Sequence, residues 1–572
     1  MLSLDGPAVD ADSVWIGRRS DAAHTLRSVT DPRRDPDPAE FLHRFAWHEE
    51  PELIGFRDEA TSRAALERLG AATWSTALDF LYDHALQRAM GEPADYERVR
   101  DAFYGDRGGP EPAPRIGSPS ERVLDEFRTR LAPHQMNAQH PRQFGYFTPP
   151  PLPMSIMGEI LAQIANQGVD VWHAGPSAAL VEEEVVRWLC DLVGYGPRSF
   201  GLLTSGGVMA NFMGMALARD AHLGRLLGSS LRPRGRALEG VRVYASDQTH
   251  FSIGRALDEL GFPPETLVVI PSDERFRLRA RPVEEAVARD RAAGLLPFAI
   301  SAAAGTTNTG SVDAIGELAE IARREDLWLH VDAAYGAAAR LSERYAGRVA
   351  DLEMADSVTV DPHKWFFQAY DIGGLVVRDG TQLGATFGDH SPEYYRAGEG
   401  QGDDASGPPK PLNFYKLSFE GTRRWRALKL WLSWKHLGTD GFGHLVDANI
   451  DLATYLAARC ADADDLEAMP SEPALSVVCF RHLPGGRTAS STLPAGDLDA
   501  HQDRLQAALE ASGEGWLTTT RLRGATWLRA GIVNYLATEA DIDILLGDLR
   551  RFAQDAVLAS GHSPAPPAGD RP

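Results

Sequence analysis

Between about residues 199 and 377 the chain alternates short apolar runs with segments whose apolar positions recur every three or four residues. The runs VRVYAS, TLVVI, PFAISAAAG, LWLHVD and DSVTVD are rich in β-branched or aromatic residues and bounded by turn formers, which predicts strands. Ser252 to Leu260, PVEEAVARDRAAG and Ile315 to Arg324 carry the helical spacing instead. Such alternation predicts an α/β unit, a mostly parallel sheet with helices on its faces and right-handed crossovers.

Outside this block the rhythm changes. Ala64 to Ala89 reads as an amphipathic helix, followed by the Gly/Pro-rich connector GDRGGPEPAPRIGSP. A long helix over WRALKLWLSWKHLG precedes a shorter block with strands ALSVVCFRHL and TWLRAGIVNYL and a closing helix around Ala540 to Ala556, which predicts a smaller α+β domain. The expected divisions are an N-terminal extension at 1–65, partly flexible, a helical segment at 66–148, a large domain at 149–437, a small C-terminal domain at 438–560 and a flexible tail at 561–572. Arg396 to Asn413 is a low-complexity loop inside the folded region, and such loops are usually functional or mobile.

Composition narrows the function. With 58 Lys and Arg against 80 Asp and Glu, the net charge is -22, and no basic run tracks a phosphate backbone. Nucleic acid and anionic membranes are therefore poor partners, and a small-molecule substrate fits better. Cys190, Cys460 and Cys479 are widely spaced in apolar surroundings, so they read as core thiols and no metal site is expected. The start of the chain has no basic and apolar signal pattern, and no stretch approaches a membrane span, so the cytoplasm is the expected location.

Chemistry concentrates at predicted strand ends. In DSVTVDPHKWFF, Lys364 follows a strand, adjoins His363 and is walled by Trp365, Phe366 and Phe367. Desolvation there would lower its pKa and make it a nucleophile toward an aldehyde, whereas a snorkelling surface lysine is the bland alternative. WLHVDAAYG ends a strand on Asp332, where a carboxylate either pairs with a pyridinium nitrogen or caps a helix. The LLTSGGVMANF stretch brings Ser205, Gly206 and Gly207 to a helix start, suited to a phosphate monoester or simply to a tight turn. His250 in SDQTHFS is a ring-stacking candidate or a core histidine, and Thr307 lies in the turn AGTTNTGS.

In combination HPRQFGYFTP, SDQTHFSIGRAL, PFAISAAAGTTNTGSVD, EDLWLHVDAAYG, DPHKW and GTRRWRALKLW resemble, in order and spacing, the pyridoxal-phosphate-dependent group II amino-acid decarboxylases, of the aromatic-L-amino-acid type. The resemblance runs from about residue 66 to 557. It implies the fold-type I PLP-dependent transferase architecture, with a seven-stranded large-domain sheet, pyridoxal 5'-phosphate as cofactor, and a homodimer with active sites at the subunit interface. It further implies that Lys364 carries the cofactor as a Schiff base, Asp332 pairs with the pyridine nitrogen and His250 stacks on the ring. Ala334 and Thr307 would line the cofactor, Gly206, Gly207 and His363 would hold its phosphate, and Tyr394 in SPEYYR would act as the loop acid in preference to Tyr395. Tyr146, Phe147 and Thr148 fall in the motif that forms the substrate pocket.

Three departures stand out: Val208 replaces a hydroxyl residue after the glycine pair, Asp361 brings a charge that would repel a phosphate unless it faces away or pairs with a cation, and the stretches NQGVDV before Trp172 and HQMNAQ before HPRQF lack the aromatic side chains that wall the pocket in animal members of the family. The expected reaction is decarboxylation of a hydrophobic L-amino acid. The rivals are a decarboxylation-dependent oxidative deaminase that yields an aldehyde, and a non-catalytic binding or assembly subunit.

Overall fold

The predicted alternation closes into a sheet of seven strands in the computed structural model, which describes residues 42–54, 59–84, 96–105, 108–228, 232–388, 411–490 and 494–559. The strands are β1 (Phe200–Thr204), β2 (Val241–Ser246), β3 (Leu267–Ile270), β4 (Leu296–Ala303), β5 (Trp328–Asp332), β6 (Ser357–Val360) and β7 (Gly373–Val377). They lie in the order β1-β7-β6-β5-β4-β2-β3. Neighbours from β6 through β5, β4 and β2 to β3 pair in parallel, and β7 runs antiparallel to both β1 and β6. Seven of the eight residues of β4 are buried, as expected of a strand covered on both faces. Because every strand except β7 points the same way, the turns that follow β1, β2, β4, β5 and β6 emerge along one edge, where open α/β sheets bind ligands.

The long helix extends beyond its expected end. Gly438, at φ 71°, leaves the helical conformation, and the helix then resumes to Asp462. Only glycine reaches that φ without a steric cost, so a single residue kinks the element without ending it. Beyond the kink Phe442, Val446, Ile450, Ala453 and Leu456 are buried at helical spacing. Phe442, Val446 and Ile450 join the core of the large sheet, while Ala453 and Leu456 pack with a second sheet in the order β10-β11-β9-β8, formed by β8 (Leu466–Ala468), β9 (Val477–His482), β10 (Thr518–Leu522) and β11 (Ala525–Gly531). Sequence patterning found β9 and β11 but missed β8 and β10. The first has three residues, and the second is a polar edge strand, TTTRL, with one buried position.

By packing, residues up to 79 together with 106–131 form one unit, and 80–105 with 132–572 form another. Within the first, the Glu59–Asp79 helix ties to the following segment through Arg128 Nε, which donates to Thr76 Oγ1 at 2.9 Å, while Ser120 donates to Glu50 from its N–H and its hydroxyl. The second holds both sheets and all the described candidate site residues. All three cysteines are free and buried. Among the described residues no helix is long and apolar enough to cross a membrane, and no cluster of metal-binding side chains is present.

Candidate active site

Behind the carboxyl edge of the large sheet lies a cavity of about 370 Å³. Its wall contains Ser205, Gly206 and Gly207 after β1, His250 after β2, Asp332 and Ala334 from β5, and Asp361, His363 and Lys364 after β6. Sequence-distant segments thus meet in one space. Thr307 is not in this wall: its carbonyl accepts from Arg529 Nε at 2.9 Å. Tyr394, Tyr395 and residues 396–410 lie outside the described residues.

Lys364 is placed by its neighbours. Trp365, Phe366 and Phe367 are all at most 1% exposed, and Trp365 Nε1 donates to Asn449 Oδ1 at 3.0 Å. The chain is anchored on its apolar side, which leaves the lysine side chain, 24% exposed, facing the cavity. Its Nζ lies 3.0 Å from Asp361 Oδ2. Burial works against the ammonium, as expected, but the carboxylates of Asp361 and Asp332 outweigh it and raise the Lys364 pKa. The expected lowering is therefore corrected: the two acids favour the ammonium form of the amine.

Asp332 is fixed by a polar network around Asn211, which sits among apolar residues on the Gly207–Leu217 helix. Asn211 Nδ2 donates to Asp332 Oδ2 and to Ser252 Oγ, both at 2.8 Å, while its Oδ1 accepts from Thr359 Oγ1 at 2.7 Å. His330 Nε2 approaches the same amide oxygen at 3.0 Å, and burial lowers the His330 pKa to about 4, so it is a neutral member of the network. Asp332 Oδ1 accepts from the Ala334 N–H at 3.1 Å in a local turn, and it caps no helix, since the next helical turn, Gly336–Leu341, begins after Tyr335; the residue faces the cavity.

The same network sets His250. Its Nδ1 lies 2.8 Å from Ser252 Oγ and 3.4 Å from the Ser252 N–H, an obligate donor. Nδ1 therefore accepts, which assigns the proton of the neutral ring to Nε2. Burial, the dominant influence, lowers the His250 pKa and keeps the ring uncharged near neutral pH. His363 shows the same direction for the same first cause, and its Nδ1 accepts from the Ile372 N–H at 3.3 Å.

These groups suit a flat ring bearing a phosphate. The Gly207–Leu217 helix presents its first-turn N–H groups and positive end to the cavity. The glycines there are obligatory: a Cβ on Gly207 would stand 2.6 Å from Asp361 Oδ2, and one on Gly373 would stand 2.5 Å from Gly206 Cα. Val208 is 39% exposed.

Of the three expected substrate residues, Phe147 stacks on Tyr335 at 4.2 Å, and Tyr335 stacks on Trp365. Thr148 Oγ1 lies 3.3 Å from Tyr370 OH, whose ring is 4.7 Å from that of His363. Tyr146 is 60% exposed and meets Trp516 edge-on. Sequence reasoning missed Asn211, Ser252, Tyr370 and Arg529. Asn211 carried a signal, as the one hydrogen-bonding side chain in GVMANFMGMAL. Arg529 carried none, because only folding brings it over the Phe147 ring.

The pyridoxal-dependent decarboxylase conserved domain matches residues 104–483. The chain is similar to an aromatic-L-amino-acid decarboxylase of Bacillus atrophaeus, at 31% identity over 84% of this chain and 95% of that one. It is also similar to an L-2,4-diaminobutyrate decarboxylase of Acinetobacter baumannii, at 28% identity over 78% and 86%. Among solved structures it resembles the glutamate decarboxylase domain of a diaminobutyrate-pyruvate transaminase and L-2,4-diaminobutyrate decarboxylase from Vibrio parahaemolyticus. That likeness has a TM-score of 0.73 and 26% identity over 88% of this chain and 97% of that one.

Proposed function

The chain belongs to the pyridoxal-dependent decarboxylases, and from that premise we propose that it converts a hydrophobic L-amino acid, aromatic or medium aliphatic such as methionine or valine, to the corresponding amine and CO2. Support comes above all from one arrangement, the Lys364 amine standing in the same cavity as a buttressed Asp332 carboxylate and a glycine-lined helix start.

Pyridoxal 5'-phosphate, when bound, acts as an electron sink for the bond that breaks at Cα. The protein's own groups do the rest. Lys364 would attach the cofactor, and the backbone N–H groups after Gly206, with His363, would hold the phosphate. Asp332, oriented by Asn211 and the Ala334 N–H, would hold a proton at the ring nitrogen. His250, neutral and protonated at Nε2, would lie against the ring and help to exclude water. Tyr394 delivers a proton to Cα.

We further infer a homodimer. The Pro153–Ala165 helix leaves Ile160, Leu161 and Ile164 between 41% and 78% exposed, and Phe251, beside the cavity, is 57% exposed. Apolar groups in that number suit a covered face.

The substrate preference is proposed from a stretch that is not part of the described cavity wall: Tyr146, Phe147 and Pro149 to Pro151 would supply an apolar wall to a bound substrate. Arg142, just outside it, is engaged by Glu514 and Asp541 at 3.3 and 3.7 Å. Arg529, beside Phe147, is 5% exposed and donates to the carbonyls of Gly145, Thr307 and Asn308. A distal carboxylate would be buried without a partner at a cost of several kcal/mol. Phe, Tyr, Trp, Met, Leu or Val should therefore exceed Glu, Lys, Orn and 2,4-diaminobutyrate in kcat/KM by roughly a hundredfold, about 3 kcal/mol. A higher kcat/KM for any charged substrate would refute the assignment.

Tyr394→Phe should leave CO2 release largely intact but divert product from amine to aldehyde, ammonia and hydrogen peroxide, because oxygen competes for the electron pair left at Cα. Peroxide is the readout. If Tyr395→Phe shifts the product and Tyr394→Phe does not, the loop acid is Tyr395.

A further inference from the structure

Asp361 is the one group in the cavity whose charge opposes the ligand assigned to it. It follows β6, is 1% exposed, and turns its carboxylate to the start of the Gly207–Leu217 helix. Oδ2 accepts from the Gly207 N–H at 3.0 Å, stands 3.0 Å from Lys364 Nζ and lies 3.7 Å from His363 Nε2. Oδ1 is buried without a hydrogen-bond partner among the described residues. It faces the backbone around Gly373, where a Cβ would stand 2.7 Å from it.

A buried carboxylate is retained when it meets donors and positive charge, and both are here: a helix N-terminus and an ammonium. These are the same features that a phosphate monoester would use. We propose that Asp361 is an internal anion standing in for the cofactor phosphate, so that loading the cofactor is an exchange of one anion for another at the Gly207 N–H. The inference rests on the reading of this helix start as the phosphate site.

Like charges in a poorly solvated cradle repel strongly, and the cavity wall supplies no second cation beside Lys364 among the described residues. Asp361 therefore lowers affinity for the phosphorylated cofactor. In return its Oδ2 gives the Gly207 N–H an acceptor and Lys364 a counter-charge. Val208 fits this arrangement: a second hydroxyl after the glycine pair is unnecessary where a carboxylate already takes a cradle donor.

The test uses full-length protein stripped of cofactor, with two probes that lack the aldehyde and cannot bond to Lys364: 4'-deoxypyridoxine 5'-phosphate and unphosphorylated 4'-deoxypyridoxine. Binding is followed by quenching of tryptophan fluorescence. Asp361→Asn should bind the phosphorylated probe at least tenfold more tightly than the unmodified protein, while the two proteins bind the unphosphorylated probe within twofold of each other. Asp361→Ser, which removes the charge with a smaller side chain, should behave alike and decides the matter if the Asn variant folds poorly. Equal affinity of variant and parent for the phosphorylated probe, or equal tightening toward both probes, overturns the proposal. A parent protein that does not prefer the phosphorylated probe over the unphosphorylated one overturns the phosphate-site reading itself, and the inference with it.

Discussion

Lys364→Ala should lower amine formation by several orders of magnitude, because one side chain supplies both the attachment of the cofactor and its release to the substrate. Absorbance of bound cofactor that disappears on borohydride treatment of the parent should persist as free cofactor in the variant. The structure adds a second effect. Lys364 is the cation beside Asp361, at 3.0 Å, and without it a carboxylate only 1% exposed is stranded. Removing one member of a buried pair costs roughly 3–5 kcal/mol. The lower end applies here, because Lys364 is 24% exposed to the cavity and water can enter. The cofactor-free variant should keep its fold but unfold at a lower urea concentration, and adding Asp361→Asn should restore most of the loss. Full decarboxylase activity in Lys364→Ala would end the assignment of its role. An unchanged urea midpoint would show that the buried pair contributes nothing.

The second large effect concerns stability and is remote from the lysine. Glu182, on the Pro176–Val193 helix, pairs with Arg423, and both side chains are at most 1% exposed. Arg423 also donates to the carbonyls of Val169 and Leu203, and Glu182 accepts from the Leu203 N–H at 3.0 Å. The pair therefore clamps β1 one residue before Thr204 and the Ser205–Gly207 turn. Glu182→Gln leaves a buried guanidinium without its counter-charge and should cost roughly 3–5 kcal/mol. Arg423→Met strands the carboxylate and should cost a similar amount. The double variant Glu182→Gln/Arg423→Met buries no net charge, so it should be more stable than either single variant. Urea midpoints for the three proteins check this. A double variant as unstable as the sum of the singles would mean that the two residues act independently. Because the clamp holds the strand leading to the phosphate turn, both single variants should also bind the cofactor less tightly.

Much of the large sheet was legible from the chain. β2, β4 and β5 are short, apolar and β-branched, and the helices between them keep a clear three-to-four spacing, so local pattern and tertiary role agree there. Candidate chemistry was legible for a related reason. Ser205 to Gly207, His250, Asp332 and Lys364 all sit where a strand ends, and in a parallel sheet such ends share one edge. β7 and the three-residue β8 escaped, and so did two elements in which local pattern and fold disagree: β10, polar at the sheet's edge, and the helix beyond Gly438, which continues past a residue that ordinarily marks a stop.

What the amino-acid order determined by itself is therefore the architecture of the core, the rim on which the chemistry lies, and the kinds of side chain found there. What only the tertiary structure decided is how those side chains are charged and held. Burial beside aromatic residues pointed to a depressed lysine, yet the acids that fold against Lys364 reverse the direction. The His250 tautomer is set locally, by the Ser252 N–H two residues on, but only folding brings in Asn211 from another helix to link Ser252 to Asp332. Asp361 read as an unexplained charge until the Gly207 N–H and Lys364 were seen on the same oxygen. The physical reason is common to all three. Patterns of apolar residues report solvent exclusion, which is local and additive, whereas ionisation and hydrogen-bond direction depend on groups a few ångströms away in space and often far away in the chain.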